Sequence, residues 1–161
     1  SAGLYIGTFE LSPMQLKLFK KLKNWNVLQK FNKFGLSKIF SFQTRKLYSA
    51  SSAIGLIVMD NDAAADFVMA GRVLQRMWLN ATMIGLSLQP ITGIVYLAQR
   101  VFANETATLS VPHIQLIKKA YQTISEAFEA NGKTIVMVFR IGYNSQPSAR
   151  SLKARPIIIE E

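Results

Sequence analysis

Two stretches of the chain combine residue types and spacing suited to holding a ligand. The first is Gly85-Leu-Ser-Leu-Gln-Pro-Ile-Thr-Gly93, where Pro90 and Gly93 stand three residues apart. Such a stretch turns sharply after a long helix and a short extended segment, and it presents backbone N–H groups to whatever lies in front of it. An ordinary helix-strand-helix connection has the same composition. The second is Lys153 and Arg155, two residues apart near the C-terminus. In extended chain, residues at that spacing project to one side. Two converging cations suit a terminal phosphate, which Arg can grip in bidentate fashion. A solvated basic tail is the plainer alternative.

Most side-chain chemistry is excluded by what is missing. The chain has no cysteine and one histidine, His113. Thiolate nucleophiles, disulfides and Cys-metal sites are therefore absent together. His113 sits beside Pro112 at an expected helix start and has no evident orienting partner, so a structural or solvated role is expected. Asp60, Asp62 and Asp66 fit favourable charges around a helix N-terminus better than metal ligands. Neither a P-loop nor a dinucleotide glycine fingerprint occurs.

At 161 residues the chain has one domain's worth of material, and half of it is apolar;. That composition is too hydrophobic for a disordered chain. The longest apolar stretches stop well below the roughly 20 residues that span a bilayer. No secretory signal pattern opens the sequence. The expectation is a soluble, cytoplasmic protein with no membrane partner. The formal net charge is +10, and residues 1–50 hold nine Lys or Arg against a single acid, Glu10. Charge alone leaves nucleic acid, acidic lipid and phosphorylated cofactors open. Because the Lys are spread as on a solvated helix face, nucleic acid is not the expected partner.

These residues must be positioned by a mixed set of elements. Leu4 to Leu11 has strand-like residues. Ser12-Pro13 then opens a helix toward Asn24. Val27 to Tyr48 is helix-like, with Leu28, Phe31, Phe34, Ile39 and Phe42 recurring at three- and four-residue steps, and Gly35 and Ser37 suggest a break. Ile54 to Met59 reads as a buried strand ending in the turn Asp60-Asn61-Asp62. A long helix follows from Ala64 to Ile84, with Gly85 as its left-handed cap. Leu86 to Ile91 is extended and Gly93 to Phe102 helical. Ser110-Val-Pro112 opens a helix through Ala130, ended by Asn131-Gly132. Thr134 to Ile141 is a strand. The fold class is α+β, a three-layer arrangement with a thin sheet of three or four strands.

Several of these stretches together carry a family resemblance. The block Ala70-Gly-Arg-Val-Leu-Gln-Arg-Met-Trp-Leu-Asn-Ala-Thr-Met-Ile-Gly-Leu-Ser-Leu-Gln-Pro-Ile-Thr-Gly93 resembles the central helix and flavin loop of the FMN-dependent nitroreductase family. Phe139-Arg-Ile-Gly-Tyr143 is similar to that family's final strand, and Lys153-Ala-Arg155-Pro to its closing Lys-x-Arg element. The resemblance covers residues 49–161. The helical region Ser12 to Tyr48, with Trp25, looks most like the family variant fused to ThiF-type adenylating domains.

The resemblance implies a nitroreductase-like fold of which this chain is the C-terminal half, with an antiparallel or mixed sheet flanked by helices. It implies one partial domain, with residues 1–48 as a basic helical region and 49–161 as the flavin-fold core. FMN is the implied cofactor. Gln89, Pro90, Ile91, Thr92 and Gly93 would lie against its ring, with the backbone N–H of Thr92 or Gly93 near N5. Lys153 and Arg155 would hold the phosphate, with Arg150 a substitute. Thr92 stands where many members have Glu, which bears on substrate preference more than on flavin binding. A homodimer built largely on the long helix is implied too, as is a reduced nicotinamide, NAD(P)H, donating hydride to an electron-poor small molecule. The basic segment that opens the family's domain has no counterpart, so the chain reads as a fragment or a degenerate relative. The competing reading is a flavin-free remnant that kept the dimerisation core.

Overall fold

The computed structural model describes residues 5–9, 11–33, 35–144 and 149. Near the start, Ile6–Phe9 forms a 3-10 turn where strand-like residues suggested extended chain. A strand needs a ladder partner. Here the Tyr5 carbonyl instead accepts from both the backbone N–H of Thr8 at 3.0 Å and its hydroxyl at 2.7 Å, which closes a local turn.

Three helices follow: α1 (Pro13–Lys21), α2 (Trp25–Lys33) and α3 (Leu36–Ser49). The start of α1 is fixed by a reciprocal cap. The Gln15 N–H donates to the Ser12 hydroxyl at 3.3 Å, and the Ser12 N–H donates to the Gln15 side chain at 2.9 Å;. The expected break lies at Gly35, whose φ of +88° is a left-handed conformation that side chains resist;.

The remaining elements are β1 (Ala53–Met59), α4 (Ala64–Met83), β2 (Ser87–Ile91), α5 (Thr92–Phe102), α6 (Val111–Ala127) and β3 (Thr134–Gly142). The sheet is antiparallel in the order β1-β3-β2. Strand β3, richest in β-branched residues, takes the centre because it has partners on both sides. Pro90 lies in an edge strand, where a missing N–H costs no ladder bond on the outer side;.

Side chains alternate between the two faces of this sheet, and each face has its own cover. On one, Ile57, Leu88 and Phe139 pack with Ala70 and Ala81 of α4. On the other, Ile135 and Val138 pack with Val95 of α5, joined by Tyr121 and Ile124 of α6. The result is helix, sheet and helix pair in three layers, an α+β fold. Ala70 and Ala81 are small, so α4 approaches the sheet closely.

Both caps of the central elements deserve their residues. At the end of α4, Gly85 with φ +77° lets the Leu86 N–H reach the Ala81 carbonyl at 2.8 Å and the Gly85 N–H reach that of Thr82 at 3.1 Å;. At its start the cap residue is Ala63, and Asp66 reaches back to accept from the Ala63 N–H at 3.2 Å. Helix α6 ends earlier than Asn131-Gly132 suggested. Glu129 adopts φ +53°, and the Ala130 N–H bonds to the Ser125 carbonyl at 2.8 Å.

The chain divides into two compact units, one built on the residues up to Lys46 and one spanning Leu47–Asn144. The three-layer packing belongs to the second.

Candidate functional site

The β2–α5 junction is built without a loop. Strand β2 ends at Ile91 and α5 begins at Thr92. The junction is held from behind by apolar contacts: Leu88 faces the α4 layer, while Ile91 packs on the opposite face in one cluster with Val95 of α5 and Ile135 and Val138 of β3. Helix α5 is anchored further along by Ala98 and Val101, which pack on Ile117 of α6. Phe102 meets Tyr121 edge-on at 5.1 Å, and the Tyr121 hydroxyl accepts the Ile135 N–H at 3.2 Å.

In front, the junction is open. Thr92 and Gly93 are exposed, and nothing stands within 4 Å of where a Gly93 side chain would project. The residue before the helix, Ile91, has no side-chain oxygen, and no side chain caps α5. Its first-turn N–H groups therefore face outward with the partial positive charge of a helix N-terminus. Such a position can donate to an electron-rich acceptor atom of a ligand, and the missing Gly93 side chain lets a flat group come close.

Gln89 has a different part. Its Oε1 accepts from Nε of Arg140 at 2.6 Å, across the β2–β3 register. The same guanidinium donates through Nη1 to the Leu47 carbonyl at 2.8 Å and the Ser51 hydroxyl at 3.3 Å, and it lies 6.0 Å above the Tyr48 ring. Arg140 thus clamps the segment before β1 to the two strands beside it. In the sequence Arg140 stands out only as part of the stretch Phe139-Arg-Ile-Gly-Tyr143. Its place on a β-branched strand, at a position of alternation with Phe139, was the available signal that it works within the sheet.

Of the expected site residues, the structure brings Gln89, Pro90, Ile91, Thr92 and Gly93 together at this junction. Arg150, Lys153 and Arg155 lie outside the described residues. His113 is exposed and pairs with the Ser110 hydroxyl through Nδ1 at 2.9 Å at the start of α6. Asp60 pairs with Lys133 at 3.2 Å. Among the described residues, no group of three His, Asp or Glu side chains gathers as a metal site would require. None of their helices is long and apolar enough to cross a membrane.

A second exposed feature lies on α4. Gly71, Leu74, Gln75, Trp78, Leu79 and Thr82 line a shallow groove of about 390 Å³. Val68, Leu79 and Met83 are each more than 60% exposed, so this helix carries apolar surface on two sides.

The architecture defines a three-layer α+β protein. Over 152 residues the chain is 25% identical to Uncharacterized protein MT1398 of Mycobacterium tuberculosis; the match takes in 93% of this chain and 21% of that protein. The chain thus spans about a fifth of the length of the relative it matches. No family model matches the chain, and no solved structure matches it significantly.

Proposed function

We propose that this chain is the C-terminal part of an FMN-dependent oxidoreductase of the nitroreductase type, which transfers hydride between a reduced nicotinamide and an electron-poor acceptor. The observation that carries the reading is the open, uncapped start of α5 at Thr92-Gly93, directly after Pro90 and Ile91. It suits an extended planar ring: an uncapped helix start, open space where a Gly93 side chain would stand, and an apolar backing from Ile91 and Val95. When bound, FMN supplies the hydride chemistry. The chain's own residues orient and polarise. Pro90 and Ile91 support the ring, the N–H of Thr92 or Gly93 donates to it, and Lys153 and Arg155, with Arg150 in reserve, neutralise the phosphate. No side chain is required as a nucleophile. A cytoplasmic setting suits this chemistry.

The exposed apolar side of α4 supports a homodimer within the same reading. Trp78 and Leu79 are 42% and 64% exposed beside Gly71, where another backbone can come close;. A ThiF-type adenylating domain in a longer parent chain belongs to the reading as well, and the length of the mycobacterial relative is compatible with it. The flavin-free alternative rests on that same α4 surface, which would serve a dimer with or without a cofactor.

The test is a flavin titration of the purified chain. FMN binding is expected to give a protein-bound flavin spectrum. Arg155→Ala should weaken FMN more than riboflavin, since only FMN carries the phosphate. Equal losses would remove the phosphate role. A chain that ignores both flavins as monomer and as dimer leaves the dimerisation remnant as the better reading.

A further inference from the structure

The N-terminal helices present a surface that the flavin reading does not use. From Leu11 to Met59 the chain contains no acid, while Lys17, Lys20, Lys21, Lys23, Lys30, Lys33, Lys38, Arg45 and Lys46 give nine cations. Apolar periodicity marks Phe31, Ile39 and Phe42 as parts of helical apolar faces. All three are exposed, Phe42 by 70%, and so is Trp25 by 65%. Helices α1 and α2 bury no residue, and every described side chain of α3 is exposed.

We propose that α1–α3 form a docking surface for an anionic phospholipid leaflet, on which the apolar faces enter the headgroup boundary while the lysines meet lipid phosphates. The pattern on each helix fits. On α2, Trp25, Leu28 and Phe31 recur every three residues, with Lys30 and Lys33 beside them. On α3, Ile39, Phe40 and Leu47 share one side. Ser37, Lys38, Ser41, Phe42 and Arg45 line an open groove of about 450 Å³ on the other flank. Lys38 and Arg45 put two cations beside the Phe42 ring there, the combination of charge and apolar surface that an anionic leaflet would meet;. Helices of this kind lie in the interface rather than crossing it, as the absence of a spanning helix among the described residues requires.

Charge alone would also admit nucleic acid, but the apolar residues decide against it. Ile39, Leu47 and Met14 are aliphatic, and they find hydrocarbon in a bilayer but nothing comparable along a phosphate backbone. Eight of the nine cations are Lys, compact charges suited to a diffuse anionic surface, rather than the Arg that stacks and forks onto bases;.

The experiment uses the whole chain carrying Trp78→Phe, which leaves Trp25 as the sole tryptophan. It is mixed with vesicles of phosphatidylcholine alone or with added phosphatidylserine, and binding is read by sedimentation and by the emission of Trp25. The expected result is binding to the anionic vesicles only, with a blue shift and a steep loss as salt rises. Replacing Lys30, Lys33 and Lys38 with Gln should weaken binding on the order of a hundredfold. Ile39→Asn with Phe40→Ser should cost at least about tenfold at unchanged charge. Circular dichroism checks that each variant keeps its helices. No binding to anionic vesicles at low salt overturns the proposal. So does binding insensitive to the Ile39 and Phe40 changes, or tighter binding to duplex DNA than to vesicles.

Discussion

Helices α3 and α4 begin from similar sequences and reach different ends. Both place apolar residues at three- and four-residue steps with cations between them. Helix α4 buries Ala70 and Ala81 and half-buries Leu74 and Met77 against the sheet, whereas α3 leaves every described side chain exposed. Periodicity therefore gives a helix a face without giving that face a neighbour. The neighbour of α4 comes from distant parts of the chain, when β1, β2 and β3 pair and turn Ile57, Leu88 and Phe139 to one side. A helix whose stripe is not covered in this way keeps it for another partner.

The sharpest way to break this comparison is to truncate one aromatic in each region. Phe139 is 5% exposed at the centre of the sheet, so Phe139→Ala should cost ~3–5 kcal/mol in urea unfolding;. Phe42→Ala, on α3, should change stability by less than about 0.5 kcal/mol. Similar losses at both positions would mean that α3 is packed in solution after all.

A smaller effect is expected where the sheet is tightest. Gly55 faces Phe139 across the β1–β3 ladder, and a side chain there would stand 2.5 Å from Cζ of that ring. Gly55→Ala should destabilise by ~1–3 kcal/mol through overpacking. In a Phe139→Leu background much of that loss should vanish, because the group it collides with is gone; strict additivity of the two changes would disprove the contact. Next comes Arg140. Arg140→Met removes donors to Gln89, Leu47 and Ser51 while keeping the stem, and should cost ~1–2 kcal/mol, with the end of α3 at Leu47 and Tyr48 loosened and α1 and α2 unchanged;.

The elements of the three-layer unit were legible because several local signals agreed on each. β1 and β3 have apolar, β-branched runs of strand length, and α4 has a full stripe ended by Gly85. Leu4 to Leu11 lacked that agreement: it has the composition of a strand, but Ile6–Phe9 closes a local turn, and composition cannot supply a ladder partner. The end of α6 escaped for a related reason. Gly132 does take the left-handed conformation that Asn131-Gly132 signals, but Glu129 takes it three residues earlier and ends the helix there, with Ala130 bonding back to Ser125. At the candidate site, Pro90 to Gly93 could be placed on a turn, but Gln89 and Arg140 are 51 residues apart and meet only through the register of β2 on β3. Pairing across the sheet is a long-range property that no local window contains.

The mildest perturbation probes whether the N-terminal helices share in cooperative unfolding. Ser12→Ala removes the hydroxyl that accepts the Gln15 N–H, and loss of such a cap ordinarily costs ~1 kcal/mol of helix stability;. If α1 were locked to a core, that loss would lower the unfolding midpoint of the whole chain. Because α1 buries no residue, the expected outcome is different: a slightly weaker helical signal in circular dichroism, with the midpoint unchanged;. Anionic vesicles should restore the helical signal of Ser12→Ala, since a helix held at the interface gains from its burial what it lost at its cap. A shifted midpoint in the absence of lipid would place α1 in the same cooperative unit as the sheet and erase the difference between the two regions.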